Sequence, residues 1–173
     1  FEYINLFKYN PNATVDYDIH NIRNKLESYI NSVCHDDNMR YSKSSVQQYY
    51  NFTACEKFLE YIKDQSQNNM EYQLTALYSF SEHKQIMMKR LSYLIEKEEL
   101  SIDNATNESI ASSYYNSQKL LNLCIKYGLT KSRNTYNSII TLIDQLNKKE
   151  FMLIKNVLLA LDDKYRYLQN SSP

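Results

Sequence analysis

The chain has one glycine, Gly128, and two prolines, Pro11 and Pro173, in 173 residues, where an ordinary chain carries about 7% and 5%. β-Sandwiches and βαβ folds draw on glycine for turn positions with positive φ, and a phosphate-binding loop is built of glycines. With no glycine before residue 128, these architectures are excluded, and long helices joined by a few polar connections remain. An excess of either charge is also lacking. The 20 basic and 20 acidic residues balance to zero, which excludes nucleic acid as a main partner, because binding phosphates needs a surplus of Lys and Arg on one face. No apolar run reaches the ~18 residues that span a bilayer; "SIITLI", Ser138 to Ile143, is short and broken by polar residues. There is no secretory leader and no initiating Met. The expectation is a mature or trimmed fragment whose localisation signals have been cut away.

Asn, Tyr, Lys and Ile are abundant while Gly, Pro, Arg and Ala are sparse. An AT-rich genome accounts for that bias, so abundance alone carries no functional weight. Periodicity carries more. Residues 1–14, "FEYINLFKYNPNAT", show no period, and their apolar members Phe1, Tyr3, Ile4, Leu6 and Phe7 suit an arm docked on a helical body. A first helix is predicted over 15–34, capped by Thr14 or Asp16, with Val15, Ile19, Ile22, Leu26, Tyr29/Ile30 and Val33 three or four apart. A second is predicted over 44–65, with Val46, Tyr50, Phe58, Leu59 and Ile62 on one face. The third, over 70–99, carries Met70, Leu74, Leu77, Met88, Leu91 and Leu94/Ile95, with Ser81 and Lys84 as the weak points of its stripe. "SIDNATNES" breaks the pattern before a fourth helix over 108–127, and Gly128 then falls where a left-handed C′ residue is wanted. The fifth, over 131–169, marks its stripe from Ile139 to Leu168 with a period of about 3.6, which fits a straight helix in a globular bundle better than a coiled coil. "NKKE", Asn147 to Glu150, is its expected weak point. No repeat of fixed length is visible. The fold expected is all-α: an antiparallel bundle of four to five long helices over 15–169, an N-terminal arm over 1–14 and a tail over 170–173.

Enzyme chemistry finds no purchase. "CHDD", Cys34 to Asp37, has metal-ligand residue types, but neighbours cannot all turn to one ion and no second cluster completes a tetrahedral site. The same residues lack an oxyanion hole and a base brought near the thiol. His20, His35 and His83 are scattered, and neither H-E-x-x-H nor a Glu-x-x-His core pair occurs. The carboxylate pairs Asp162-Asp163 and Glu98-Glu99 are sequence neighbours, which point about 100° apart on a helix, so a solvated face is expected rather than an acid–base pair. No catalytic residue, metal or cofactor is assigned, and the chain reads as a non-enzyme.

Three cysteines, Cys34, Cys55 and Cys124, cannot all pair within one chain. Cys124 falls on the apolar stripe of its helix and suits a buried thiol. Cys34 and Cys55 close the shortest loop and are the expected disulfide, although spacing does not fix connectivity. Tyrosine is frequent, at 17 residues, and the adjacent pairs Tyr49-Tyr50 and Tyr114-Tyr115 leave one ring of each pair off the core. Tyr49 and Tyr115 are therefore the expected contact surface, since tyrosine offers rigid, amphipathic area for recognition. Sequons for N-glycosylation stand at Asn12, Asn51, Asn104, Asn107 and Asn170, a mild excess for a chain with 19 Asn and 25 Ser and Thr. Sequons and cysteines together point to an extracellular protein.

The whole-chain texture, including "NPNATVDYDIHNIRNKLESYI" and "YYNFTACEKFLEYIKD", resembles the secreted or GPI-anchored helical surface antigens of apicomplexan blood parasites, of the Babesia type. The resemblance implies a helical ectodomain on the parasite surface or secreted, exposed to host serum, whose protein partners are a host-cell surface component or an antibody. It carries no functional residues over to this chain. "LQNSSP", Leu168 to Pro173, suits the start of a linker towards a lipid anchor. The alternative is an intracellular helical adaptor that binds a partner helix in a groove.

Overall fold

The computed structural model describes residues 17–32, 51–64 and 70–170. They form five helices and no strand: α1 (Ile19–Ile30), α2 (Asn51–Asp64), α3 (Met70–Lys97), α4 (Asn104–Thr130) and α5 (Arg133–Asn170). The all-α expectation holds, with shifts at the helix ends. Helix α1 starts at Asp18, whose carboxylate accepts the Asn21 N–H at 3.1 Å; Thr14 and Asp16, the caps first expected, lie outside the described residues, as do the arm over 1–14 and the last three residues. Helix α4 begins at Asn104, four residues before the expected start at 108, because Asp103 accepts the Thr106 N–H at 2.7 Å and caps it. Most of "SIDNATNES" is thus the first turn of a helix and not a loop.

Gly128 is not a C′ residue. It lies inside α4, and the left-handed terminal position belongs to Lys131, at φ 51°. A methyl group on Gly128 would meet Leu74 Cδ1 at 3.5 Å, an ordinary contact. Helix α5 runs unbroken for 38 residues, about 57 Å at 1.5 Å per residue. "NKKE" does not break it, because Asn147 and Glu150 turn inward with the apolar stripe and find partners there.

Helices α3, α4 and α5 run up, down and up. Ser81 Oγ on α3 donates to the Ser117 carbonyl on α4 at 2.6 Å. Asn156 Nδ2 on α5 donates to Thr106 Oγ1 at 3.2 Å, while Tyr127 and Tyr136 meet near the opposite end of the α4–α5 pair. The fourth column of the bundle is made of two pieces. Helix α1 lies antiparallel to the C-terminal half of α5, with Arg23 on Asp162 and His20 against Tyr165. Helix α2 lies antiparallel to the N-terminal half, with Phe52 against Phe151 and Tyr136 Oη donating to the Ile62 carbonyl. The two pieces point the same way and abut. Ser32 Oγ accepts the Thr53 N–H at 2.8 Å and lies 2.7 Å from Thr53 Oγ1, and both Ser32 and Asn51 take positive φ. The end of α1 and the start of α2 therefore meet at the same level of the column.

The interior follows this division. One apolar cluster gathers Leu59, Ile62, Leu77, Leu120, Ile139 and Ile143 beneath α2. The other gathers Met88, Leu91, Ile110, Ile154, Val157 and Leu161 beneath α1. Each fully buried Leu or Ile contributes about 1.5–3 kcal/mol, so both halves hold a substantial core. Between them, at the joint of α1 and α2, the interior is polar.

Candidate functional site

The polar layer is built by four elements. Lys84 on α3 and Glu150 on α5 are each 1% exposed and form an ion pair. Lys84 Nζ also lies over the Phe80 ring, 4.8 Å from its centre. From α1, Tyr29 Oη donates to Glu150 Oε2 at 3.1 Å and lies 2.9 Å from His83 Nε2. Because the single Tyr29 proton goes to the carboxylate, the imidazole Nε2 must carry the hydrogen of the second contact. The relay reads His83 to Tyr29 to Glu150. From α2, the Cys55 sulfur lies 3.5 Å from Lys84 Nζ and 3.8 Å from Tyr29 Oη, and the Cys55 carbonyl accepts from Asn147 Nδ2 at 3.3 Å. Burial, reinforced by the Glu150 charge, raises the Tyr29 hydroxyl pKa well above its ordinary value. Burial lowers that of His83, which favours the neutral ring.

Three buried side-chain oxygens, Ser113 Oγ, Asn147 Oδ1 and Glu150 Oε1, have no hydrogen-bond partner among the described residues. Two of them belong to this layer. No group of three or more His, Cys, Asp or Glu suited to a metal occurs among the described residues, and the Lys84 ammonium already balances the Glu150 charge.

A second carboxylate departs from expectation. Glu98 is not on a solvated face; it is 8% exposed and accepts from Tyr165 Oη at 3.0 Å and Lys164 Nζ at 3.2 Å. Burial pushes its pKa up, but hydrogen bonds from Tyr17, Tyr165 and Lys164 outweigh this and hold it below the ordinary value. Asp162 likewise turns to Arg23, which grips both its oxygens at 2.6 and 3.1 Å and lowers its pKa. Their neighbours are exposed, Asp163 on the surface of α5 and Glu99 in the turn just beyond the end of α3, at φ 46°, so the expected helical setting of the Glu98-Glu99 pair does not hold.

Two grooves open on the outer surface of the described residues. One, of about 730 Å³, runs between α3 and α4 over Met88, Ile95, Ile110 and Tyr114, with Lys89 and Glu96 at its sides. The other, of about 520 Å³, lies between α2 and α5 against Phe52, Leu59 and Phe151. Neither is lined by Lys84, Glu150, Tyr29 or His83.

Of the residues singled out from sequence, Tyr115 is 66% exposed on α4 while its neighbour Tyr114 turns half-buried into the first groove, the split the helical pair implied. Tyr49 lies outside the described residues. So does Cys34, and its expected bond to Cys55 is not among the described contacts; Cys55 and Cys124 are free thiols. Burial pushes the Cys124 pKa up to about 12. Among the sequon residues, Asn104 and Asn107 are exposed on α4, with Asn107 lining the α3–α4 groove. Asn51 is half-buried and its amide donates to the Ser28 carbonyl at 3.4 Å. Asn12 and the Asn170 side chain lie outside the described residues. The polar layer was foreshadowed by Lys84 and Glu150 standing on otherwise apolar stripes. Tyr29 and His83 gave no such signal, because either suits a helix flank.

Neither a family model, nor a curated protein, nor a solved structure matches the chain.

Proposed function

We propose that the chain is a non-enzymatic, extracellular surface or secreted module that works by protein–protein contact, with a host-cell surface component or an antibody as partner. The observation that carries this reading is the outer face of α3 and α4. An apolar groove floored by Met88, Ile95 and Ile110 is bordered by Tyr93, 59% exposed, with Tyr115 one turn from groove residue Ala111. Exposed tyrosine beside an apolar floor with Lys89 and Glu96 at hand is the composition of a recognition patch. The Lys84–Glu150 ion pair lines neither groove, only its neighbour Asn147 reaching the one between α2 and α5, and the two charges match each other internally. That favours a structural role for it. The exposed sequon residues Asn104 and Asn107 suit a secreted chain.

Pull-down of host-cell surface proteins on the immobilised chain tests the reading. Saturable capture that Tyr93→Ala and Tyr115→Ala together reduce at least about thirtyfold supports it, since an aromatic contact that matters costs ~1 kcal/mol or more when truncated. No saturable binding, or binding untouched by both substitutions, overturns it.

The rival is an intracellular adaptor that takes a partner helix in a groove, and the free thiols of Cys55 and Cys124 favour it. Reduced cysteines in natively purified protein, with no processed leader upstream of Phe1, would decide for the rival. A cleaved leader and a hydrophobic tail beyond Pro173 would decide for the surface antigen.

A further inference from the structure

The geometry points to a covalent modification site at the joint of α1 and α2: a sulfenamide cross-link between the Cys55 sulfur and the Lys84 amine, formed under peroxide. The two atoms lie 3.5 Å apart, on different helices. That separation is a near-attack distance for bond formation. The Lys84 side chain is held by burial and its amine by the Phe80 ring face and by Glu150, so the amine stays beside the sulfur. Cys55 is only half-buried, so a small oxidant can reach it, whereas Cys124 is fully enclosed. Glu150 offers what the second step needs, a carboxylate whose Oε2 already accepts from the Lys84 amine.

The chemistry balances with one equivalent of hydrogen peroxide. The Cys55 sulfur attacks one peroxide oxygen, the O–O bond breaks, and sulfenic acid and one water result. One proton of the Lys84 ammonium passes to Glu150. The freed nitrogen lone pair attacks the sulfenic sulfur and forms the S–N bond. The S–O bond breaks, and the departing hydroxide takes a second nitrogen proton and leaves as water. The sulfur is oxidised by two electrons, the peroxide is reduced to two waters, and the product is a neutral sulfenamide beside a protonated Glu150. The same sulfur cannot also be bound to Cys34, so the two links compete.

The test uses the full chain with Cys34→Ser, so that only Lys84 or Cys124 can intercept the oxidised sulfur. After a brief stoichiometric treatment with hydrogen peroxide, non-reducing digestion and mass spectrometry are expected to show a loss of two hydrogens, about 2 Da. The Cys55 peptide should be joined to the Lys84 peptide, trypsin should no longer cut after Lys84, and dithiothreitol should restore both. In Lys84→Arg the link should vanish and Cys55 should instead accumulate as sulfenic acid that dimedone traps. Cleavage after Lys84 at the untreated rate, with Cys55 carried on to sulfinic acid, joined to Cys124 or left as thiol, overturns the proposal. The digest of the Cys34→Ser chain decides this whether or not the arginine variant folds.

Discussion

At the scale of single residues, Lys84 and Glu150 have the most at stake. Each charge is sealed from water and matched mainly by the other, so removing one strands its partner in a medium that solvates it poorly. Lys84→Ala or Glu150→Ala is expected to destabilise the fold by about 3–5 kcal/mol, whereas Lys84→Met with Glu150→Leu should cost less than either single change. Urea unfolding of the three variants measures this. A double variant as damaged as the sum of the singles would mean that the layer acts through something other than charge pairing. The same two residues show how far sequence reading reaches. A lysine and a glutamate on stripes that are otherwise mostly apolar are visible from spacing alone. That they meet each other, and that Tyr29, His83 and Cys55 join them, depends on how four helices are laid together, which no single stripe encodes.

Among the elements, α4 illustrates how a correct periodicity can hide a wrong end. The apolar stripe from Ile110 to Cys124 was legible, but the polar turn before it is helical through the Asp103 cap, and the helix continues past Gly128 to Thr130. A glycine at the end of a stripe usually marks the stop; here a non-glycine, Lys131, takes the left-handed position. Since a helical glycine costs about 0.5–1 kcal/mol against alanine, and the added methyl would meet only Leu74 Cδ1 at 3.5 Å, Gly128→Ala should raise stability by about that amount. Thermal unfolding of the variant, with a midpoint a few degrees higher, checks it. The absent break at "NKKE" has the complementary cause. Polar residues inside a stripe end a helix only when nothing in the interior receives them, and here Cys55 and Lys84 do.

For the molecule as a whole, the two cores should part company in acid. Asp162 sits below its ordinary pKa because Arg23 hydrogen-bonds it, and Glu98 does so because the bonds from Tyr17, Tyr165 and Lys164 outweigh its burial. For a carboxylate held low in the fold, the unfolded chain binds more protons as pH drops. The stabilisation is therefore complete above the unfolded value, about 4, and is lost as pH falls through the folded one. Both carboxylates tie the α1 half together, and Asp162 is the anchor of α1 itself. Amide exchange, corrected for intrinsic rates, should show α1 losing protection below about pH 4 before the α2 half does. Asp162→Asn should give α1 reduced protection already at neutral pH. Simultaneous loss across all five helices would argue against two separable halves.

The seam between Ser32 and Asn51 also bears on how this chain can change. Ser32 Oγ, just past the end of α1, accepts the Thr53 N–H in the first turn of α2, so one hydroxyl serves a helix to which it does not belong. A substitution that removes it on one side leaves an orphan donor on the other, and the two pieces of this column are bound to change together.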